Sequence, residues 1–83
     1  MKAGERYMFK EPSIIFYHQL ELLKSKDDYN WHVRIWHIND MGWAEKEWEM
    51  IQSTKHIHEF YIKIDKSQYW SKDKFNSMKE PRG

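Results

Sequence analysis

The predicted fold follows from one stretch, residues 31–38, which reads Trp31-His32-Val33-Arg34-Ile35-Trp36-His37-Ile38. Its side chains alternate between two sets, and a period of two over eight residues indicates a β-strand with one face against a core. If Val33 and Ile35 face the core, then His32, Arg34 and Trp36 lie on the opposite face. We therefore expect a strand here that presents two different surfaces.

Strands are also predicted on both sides of this stretch. Residues 25–30 and 39–42 are polar turns, and the glycine at the end of the second turn tolerates positive φ. Residues 13–24 alternate before the first turn, and their β-branched and aromatic start favours a strand over a helix. Residues 43–52 follow the second turn as a third long strand, whose predicted glutamate face consists of Glu45, Glu47 and Glu49.

The hydrophobic period changes after residue 54. Ile57, Phe60, Tyr61 and Ile64 are spaced i, i+3, i+4 and i+7, which predicts an amphipathic helix over Lys55–Lys66. A further strand is the alternative, since residues 60, 62 and 64 also alternate. The remaining residues are polar and weakly basic, which indicates a tail or a short docking helix.

These elements predict an α+β fold, in which a small antiparallel β-sheet of three to four strands carries one C-terminal helix packed on it. The predicted domain covers residues 1–66, including the helix at 55–66, and residues 67–83 form the polar tail. An SH3-like barrel is compatible with the same order of elements, but such an analogy carries no functional residues with it.

Composition narrows the class of protein. The formal net charge is +1, from 14 Lys and Arg against 13 Asp and Glu, so no overall field attracts the chain to nucleic acid or membranes. Cysteine is absent, which removes disulfides and thiolate chemistry. No run approaches the roughly 20 apolar residues of a membrane span. We expect a soluble cytoplasmic protein without a membrane partner, located in the host cell cytoplasm if a phage encodes it.

The sequence contains no motif for catalysis, a metal or a cofactor. The five histidines lack the spacing of a zinc site, and no Ser/His/Asp arrangement or glycine-rich phosphate loop is present. His18 and His37 are expected to be partly buried with one satisfied ring nitrogen. The glutamates of residues 45–49 are more simply a solvated face that discourages edge-to-edge aggregation. We predict a protein that is not an enzyme and has no cofactor and no metal site.

Aromatic residues make up 17% of the chain, which is more than a small core needs. Periodicity assigns five of them to the core: Phe16, Trp31, Trp48, Phe60 and Tyr61. The opposite face combines rings with a cation, which suits packing beneath the helix first, a protein interface second and the stacking of unpaired bases third. The candidate partner-binding residues are Tyr17, His32, Arg34, Trp36, Trp70 and Phe75.

The leading functional hypothesis is a non-catalytic binding protein that recognises a partner protein and modulates or inhibits it. The length and composition are also typical of small accessory proteins of phages and mobile elements. The alternative is an RNA or single-stranded DNA binding protein that uses the same aromatic and basic face. Because excess basic charge is confined to the tail, nucleic acid ranks below a protein partner, and a homodimer is left open.

Overall fold

The computed structural model describes residues 1–11 and 16–71 of the chain. Five strands, one α-helix and one short 3-10 helix follow one another in this part of the chain. They are β1 (Arg6–Phe9), β2 (Phe16–Ser25), β3 (Asn30–Asn39), β4 (Ala44–Ser53), α1 (Thr54–Phe60), β5 (Tyr61–Ile64) and the 3-10 helix Lys66–Gln68. The predicted α+β class with a small antiparallel sheet is confirmed, although the sheet has five strands and not three to four.

The strands form one antiparallel sheet in the order β4-β3-β2-β1-β5. The chain therefore leaves the sheet at one edge, passes through α1 and returns at the opposite edge beside β1. Among the described residues, β4 pairs with β3 and β5 pairs with β1, but the two edge strands do not pair with each other. The sheet is consequently open, and the SH3-like closed barrel is wrong.

Helix α1 is shorter than the predicted helix. The Ser53 hydroxyl accepts a hydrogen bond from the His56 amide at 3.0 Å, which satisfies one of the free amides of the first turn. The helix ends at Phe60 because Tyr61–Ile64 pairs with β1 as a strand. The prediction of a helix over Lys55–Lys66 is therefore wrong beyond residue 60. No helix within residues 1–11 and 16–71 has the length and apolar character needed to span a membrane.

The hydrophobic core lies on one side of the sheet, which we call the helix face. Its cluster consists of Tyr7, Leu20, Leu22, Trp31, Val33, Ile35, Ile57 and Tyr61, with Phe9 and Trp48 packed against it. Full burial of a Leu or Ile side chain contributes about 1.5–3 kcal/mol. The core assignment of Trp31 and Tyr61 is confirmed, and Trp48 is half-buried beside them. That of Phe60 is wrong, because the last residue of α1 is 41% exposed.

Candidate functional site

The second side of the sheet, which we call the tryptophan face, carries most of the residues predicted to bind a partner. The register pairs Tyr17 with Ile38 and Glu21 with Arg34, and Trp36 lies between these pairs on β3. Directly opposed residues of antiparallel strands point to the same side of the sheet. Tyr17, Arg34 and Trp36 therefore share one face, as the alternation predicted.

The segment of residues 66–71, and not the helix, lies across the tryptophan face. The Gln19 side-chain amide binds this segment through both of its polar atoms. Its nitrogen donates to the Gln68 carbonyl at 2.8 Å, and its oxygen accepts from the Trp70 amide at 3.0 Å. Gln19 is 1% exposed, so its side-chain amide is shielded from water. The Trp70 indole N–H donates to the Gly42 carbonyl, which attaches the segment to the turn between β3 and β4.

Trp36 is a packed residue of this face. It is 5% exposed, and its ring centroid lies 6.0 Å from that of Trp70. The guanidinium carbon of Arg6 lies 4.4 Å from the centre of the same ring. Its indole N–H donates to the Glu47 carboxylate at 2.7 Å. Because Trp36 is enclosed in this way, it offers little surface to a partner while residues 66–71 are in place.

Arg6 is a half-buried cation held by aromatic rings and by carbonyl oxygens. Its guanidinium carbon lies 4.4 Å from the Trp36 ring centre and 4.9 Å from that of Tyr69. Its Nη1 donates to the Gln19 side-chain oxygen at 3.3 Å and to the Trp70 carbonyl. Burial lowers the pKa of Arg6 from its ordinary value, but arginine stays protonated in proteins. The charge is therefore used to hold the tryptophan face together.

Arg34 and His32 are half-buried residues of the tryptophan face and lie beside β4. Arg34 lies 3.2 Å from Glu49, 3.8 Å from Glu47 and 3.9 Å from Glu21, and His32 Nε2 lies 2.9 Å from Glu49. The Arg34 and His32 side chains are 34% and 39% exposed, and each ion pair of Arg34 is worth about 0.2–1 kcal/mol. Three carboxylates, from Glu21, Glu47 and Glu49, therefore surround the Arg34 guanidinium group.

A β-bulge separates Glu45 from the other two glutamates of β4. The register shifts directly after His37, and Glu45 is left without a direct partner on β3. Its carboxylate accepts from the Asn39 side-chain amide at 3.1 Å and lies 3.9 Å from His37. An extra residue in one strand interrupts the alternation of its side chains. The predicted row of three glutamates is therefore wrong, and only Glu47 and Glu49 share the tryptophan face.

Two histidines oppose each other on the helix face. His18 and His37 are directly paired across β2 and β3, and Nε2 of His18 lies 3.0 Å from Nδ1 of His37. In this hydrogen bond, one ring nitrogen is an N–H donor and the other is the acceptor. The half-buried Phe16 stacks on His37 at 4.4 Å, and Trp48 meets His18 edge-on at 5.6 Å. The expectation of partly buried histidines with one satisfied ring nitrogen is confirmed.

Acidification is expected to lower the free energy of unfolding through His18. Burial, followed by the neighbouring His37, holds the pKa of His18 below its ordinary value of 6.5. His18 therefore binds a proton more readily in the unfolded chain than in the folded protein. The free energy of unfolding falls as the pH drops below 6.5, and this loss is complete once the pH lies below the pKa of His18 in the folded protein. Urea denaturation at about pH 8 and about pH 5 measures the loss.

Two variants isolate the contribution of His18. His18→Gln removes the titrating group but can keep a hydrogen bond to His37, and it should lose less stability on acidification than the wild type. His58 is exposed on α1, so His58→Gln is the control and should retain the wild-type loss. Equal losses in the wild type and in His18→Gln would contradict the assignment.

The candidate binding residues lie in three different settings. Trp36 and Trp70 pack against each other. Trp70 belongs to the segment of residues 66–71, which we call the covering segment, and Trp36 lies beneath it. His32 and Arg34 remain accessible beside β4. Tyr17 is half-buried on the tryptophan face, and burial raises the pKa of its hydroxyl. The structure therefore brings these residues to one side of the sheet without giving them one role.

Two residues that build this site were not among the candidates. Gln19 is paired with Trp36 on the tryptophan face, but nothing in the sequence identified the segment that it would bind. Arg6 gave no local signal, because its ring partners lie far away in the chain and on other elements. Of the candidates, Phe75 lies outside the described residues.

Neither a metal-binding cluster nor a related protein indicates the function of this site. In the part of the chain that the structure describes, no three His, Asp or Glu side chains are grouped so that they could hold a metal ion. In comparisons with known proteins, no family model, no curated protein and no solved structure matched the chain.

Proposed function

We propose that this is a non-catalytic binding protein that recognises a partner protein and modulates or inhibits it. The observation that carries the proposal is β4, a ten-residue strand at the edge of the sheet. β3 is its only strand partner among the described residues, so its other side presents backbone donors and acceptors. Near its end, Met50 and Ile51 are 40% and 43% exposed.

Tyr29 enlarges the apolar surface at this end of β4. Its side chain is 75% exposed, and its carbonyl accepts from the Thr54 amide at 2.8 Å, immediately after the strand. Tyrosine supplies a large contact area with little conformational freedom to lose, and it is one of the residue types that dominate binding energy. An exposed aromatic ring close to the end of the edge strand suits a protein interface.

His32 and Arg34 complete the proposed surface. His32 is paired with Ile51 and Arg34 with Glu49 in the register of β3 and β4, so both lie next to the exposed end of the edge strand. Arginine is enriched in interfaces because its planar group makes several directed contacts. In this proposal Trp36 contributes indirectly, by packing that keeps the surface rigid, and a rigid surface loses less entropy on binding.

The carboxylates around Arg34 favour a protein partner over the nucleic-acid alternative. Glu21, Glu47 and Glu49 all lie within 3.9 Å of its guanidinium group and would repel phosphates. Trp36, the ring best placed to stack on a base, is 5% exposed. Both observations count against the aromatic and basic platform that the nucleic-acid alternative requires.

Affinity capture with matched variants tests the proposal. Tagged wild type, Ile51→Ser and Ile62→Ser are used to recover proteins from nuclease-treated host extract, and mass spectrometry identifies them. Ile62 is 46% exposed on β5, at the opposite edge, so its replacement removes a similar side chain elsewhere. The wild type and Ile62→Ser should recover the same partner, and Ile51→Ser should bind it about tenfold more weakly, which is about 1.4 kcal/mol.

Two results would contradict the proposal. Equal recovery of the same proteins by all three baits would show that β4 is not the contact surface. A fluorescent single-stranded oligonucleotide that binds the wild type at low salt, where electrostatic attraction is strongest, would favour the nucleic-acid alternative.

A further inference from the structure

The side of β4 with which no described strand pairs is long enough to accept another strand. β4 spans the ten residues Ala44–Ser53, which is about 33 Å at roughly 3.3 Å per residue. It stands at the end of the strand order, and β3 is its partner among the described residues. The outward N–H and C=O groups of such a strand can pair with an extended segment of another chain, as in β-strand addition.

The charges beside this edge determine which segment would fit. Glu47 and Glu49 point to the tryptophan face, and their side chains are 57% and 46% exposed. Glu21 adds a third carboxylate next to Arg34, the one cation among these four residues. β4 itself carries three glutamates and one lysine, Lys46, so the edge strand has an excess of two negative charges. Opposite charges on directly opposed strand residues are stabilising, so a positively charged segment is favoured here.

On the helix face of β4, the residues that alternate with Glu47 and Glu49 are apolar. Trp48 and Met50 are paired with Ile35 and Val33, which places them on the helix face. Met50 is 40% exposed and Trp48 is half-buried, so an added strand could cover both side chains. An occupant of this edge therefore needs two different faces, because successive side chains of a strand point to opposite sides.

We propose, as an extension that rests on the proposed function, that β4 binds an extended segment of the partner protein as a sixth strand. The segment carries Lys or Arg at the alternate positions next to Glu47 and Glu49. It carries apolar residues at the intervening positions, next to Trp48 and Met50. The backbone of β4 provides the pairing, and the glutamates select the charge of the segment.

The same glutamates disfavour a second copy of this chain as the occupant. In an antiparallel pair of β4 strands with nearly full overlap, either Glu47 opposes Glu49 of the second copy or Glu49 opposes itself. Like charges that are directly opposed across strands are destabilising. The charge pattern of β4 thus discourages pairing with itself and favours a basic segment of another protein.

Nuclear magnetic resonance with defined peptides tests this inference. The probe is a capped peptide of about ten residues that alternates lysine and valine, matched to the length of β4. The first control alternates glutamate and valine, and the second is the lysine peptide with N-methyl groups on alternate amides, which blocks strand pairing but keeps the charge. The lysine peptide should shift β4 amide resonances and bind at least about tenfold more tightly than either control.

A double variant checks that the glutamates select the charge. Glu47→Gln with Glu49→Gln retains acceptors for Trp36 and Arg34 but removes two carboxylates, and circular dichroism verifies that it is folded. Its preference for the lysine peptide over the glutamate peptide should largely disappear, and high salt should weaken the wild-type preference in the same direction. An unchanged preference in the folded double variant would overturn the role of the glutamates.

The outcomes separate this inference from the proposed function. If capture depends on Ile51 but the lysine peptide shifts no β4 amide, or the N-methylated peptide binds equally well, strand addition is wrong and protein recognition stands. If the peptide binds β4 as expected but no Ile51-dependent partner is captured, the proposed function is wrong. A dimer in light scattering whose contacts map to β4 would overturn the choice of occupant.

Discussion

Replacing Trp36 with alanine is expected to lower the free energy of unfolding by about 3–5 kcal/mol, the range typical of Trp→Ala in a packed interior. Trp36 is 5% exposed, packs against Trp70 and Arg6, and donates its indole N–H to Glu47. Truncation would leave a cavity under the covering segment and an acceptor without its donor. Because small domains are stable by only about 5–15 kcal/mol, the thermal midpoint should fall by more than about 10 °C.

Urea and thermal denaturation followed by circular dichroism measure this effect. Tyr29→Ala is the matched control, because this ring is 75% exposed, and its removal should change stability by no more than about 0.5 kcal/mol. A fully stable Trp36→Ala protein that had lost partner capture would reverse the assignment. In that case Trp36 would be a contact residue, and the packing seen on the tryptophan face would not hold the fold together.

Replacing Gln19 with alanine is expected to lower the free energy of unfolding by about 1–3 kcal/mol, because it leaves a part-buried amide and a part-buried carbonyl without partners. The Trp70 amide and the Gln68 carbonyl both bond to the Gln19 side chain, which is 1% exposed. Residues 66–71 should then detach from the tryptophan face more often. Hydrogen exchange at the Trp70 amide should accelerate together with the loss of global stability.

Gln52→Ala is the control for this prediction. The Gln52 side chain is half-buried on β4, and its amide contacts the sulfur of Met50 at 3.4 Å, a weak acceptor. Its removal should change stability and exchange at Trp70 very little. If Gln19→Ala were as stable as Gln52→Ala, with unchanged exchange at Trp70, the covering segment would be held by ring packing and not by the buried amide.

The strands were predictable because their signal is local. Side chains in a strand alternate by geometry, so residues 31–38 indicate two faces whatever the strand pairs with. The short segment of residues 54–64 was not predictable in the same way, since its apolar residues fit both a helical and a strand period. The Ser53 cap starts a helix there, and pairing with β1 converts the second half into β5.

The candidate site was predictable only as a set of residues on one face. Alternation correctly put Tyr17, Arg34 and Trp36 together. It could not show that Trp36 would be enclosed, because the enclosing residues come from the first strand and from the segment after the last one. The β-bulge at Glu45 was also invisible, since the charged run Glu45-Lys46-Glu47 gives no sign of where the register shifts.

The sequence by itself determined that this chain has a small antiparallel sheet with an apolar face and an aromatic and charged face. That information lies in neighbouring residues, whose side chains must point to opposite sides of a strand. Only the tertiary structure decided the order of the strands, the open edge at β4 and the cover over Trp36. These features depend on contacts between residues remote in the chain, such as the hydrogen bond from Arg6 to Trp70 across 64 positions, and no local pattern encodes them.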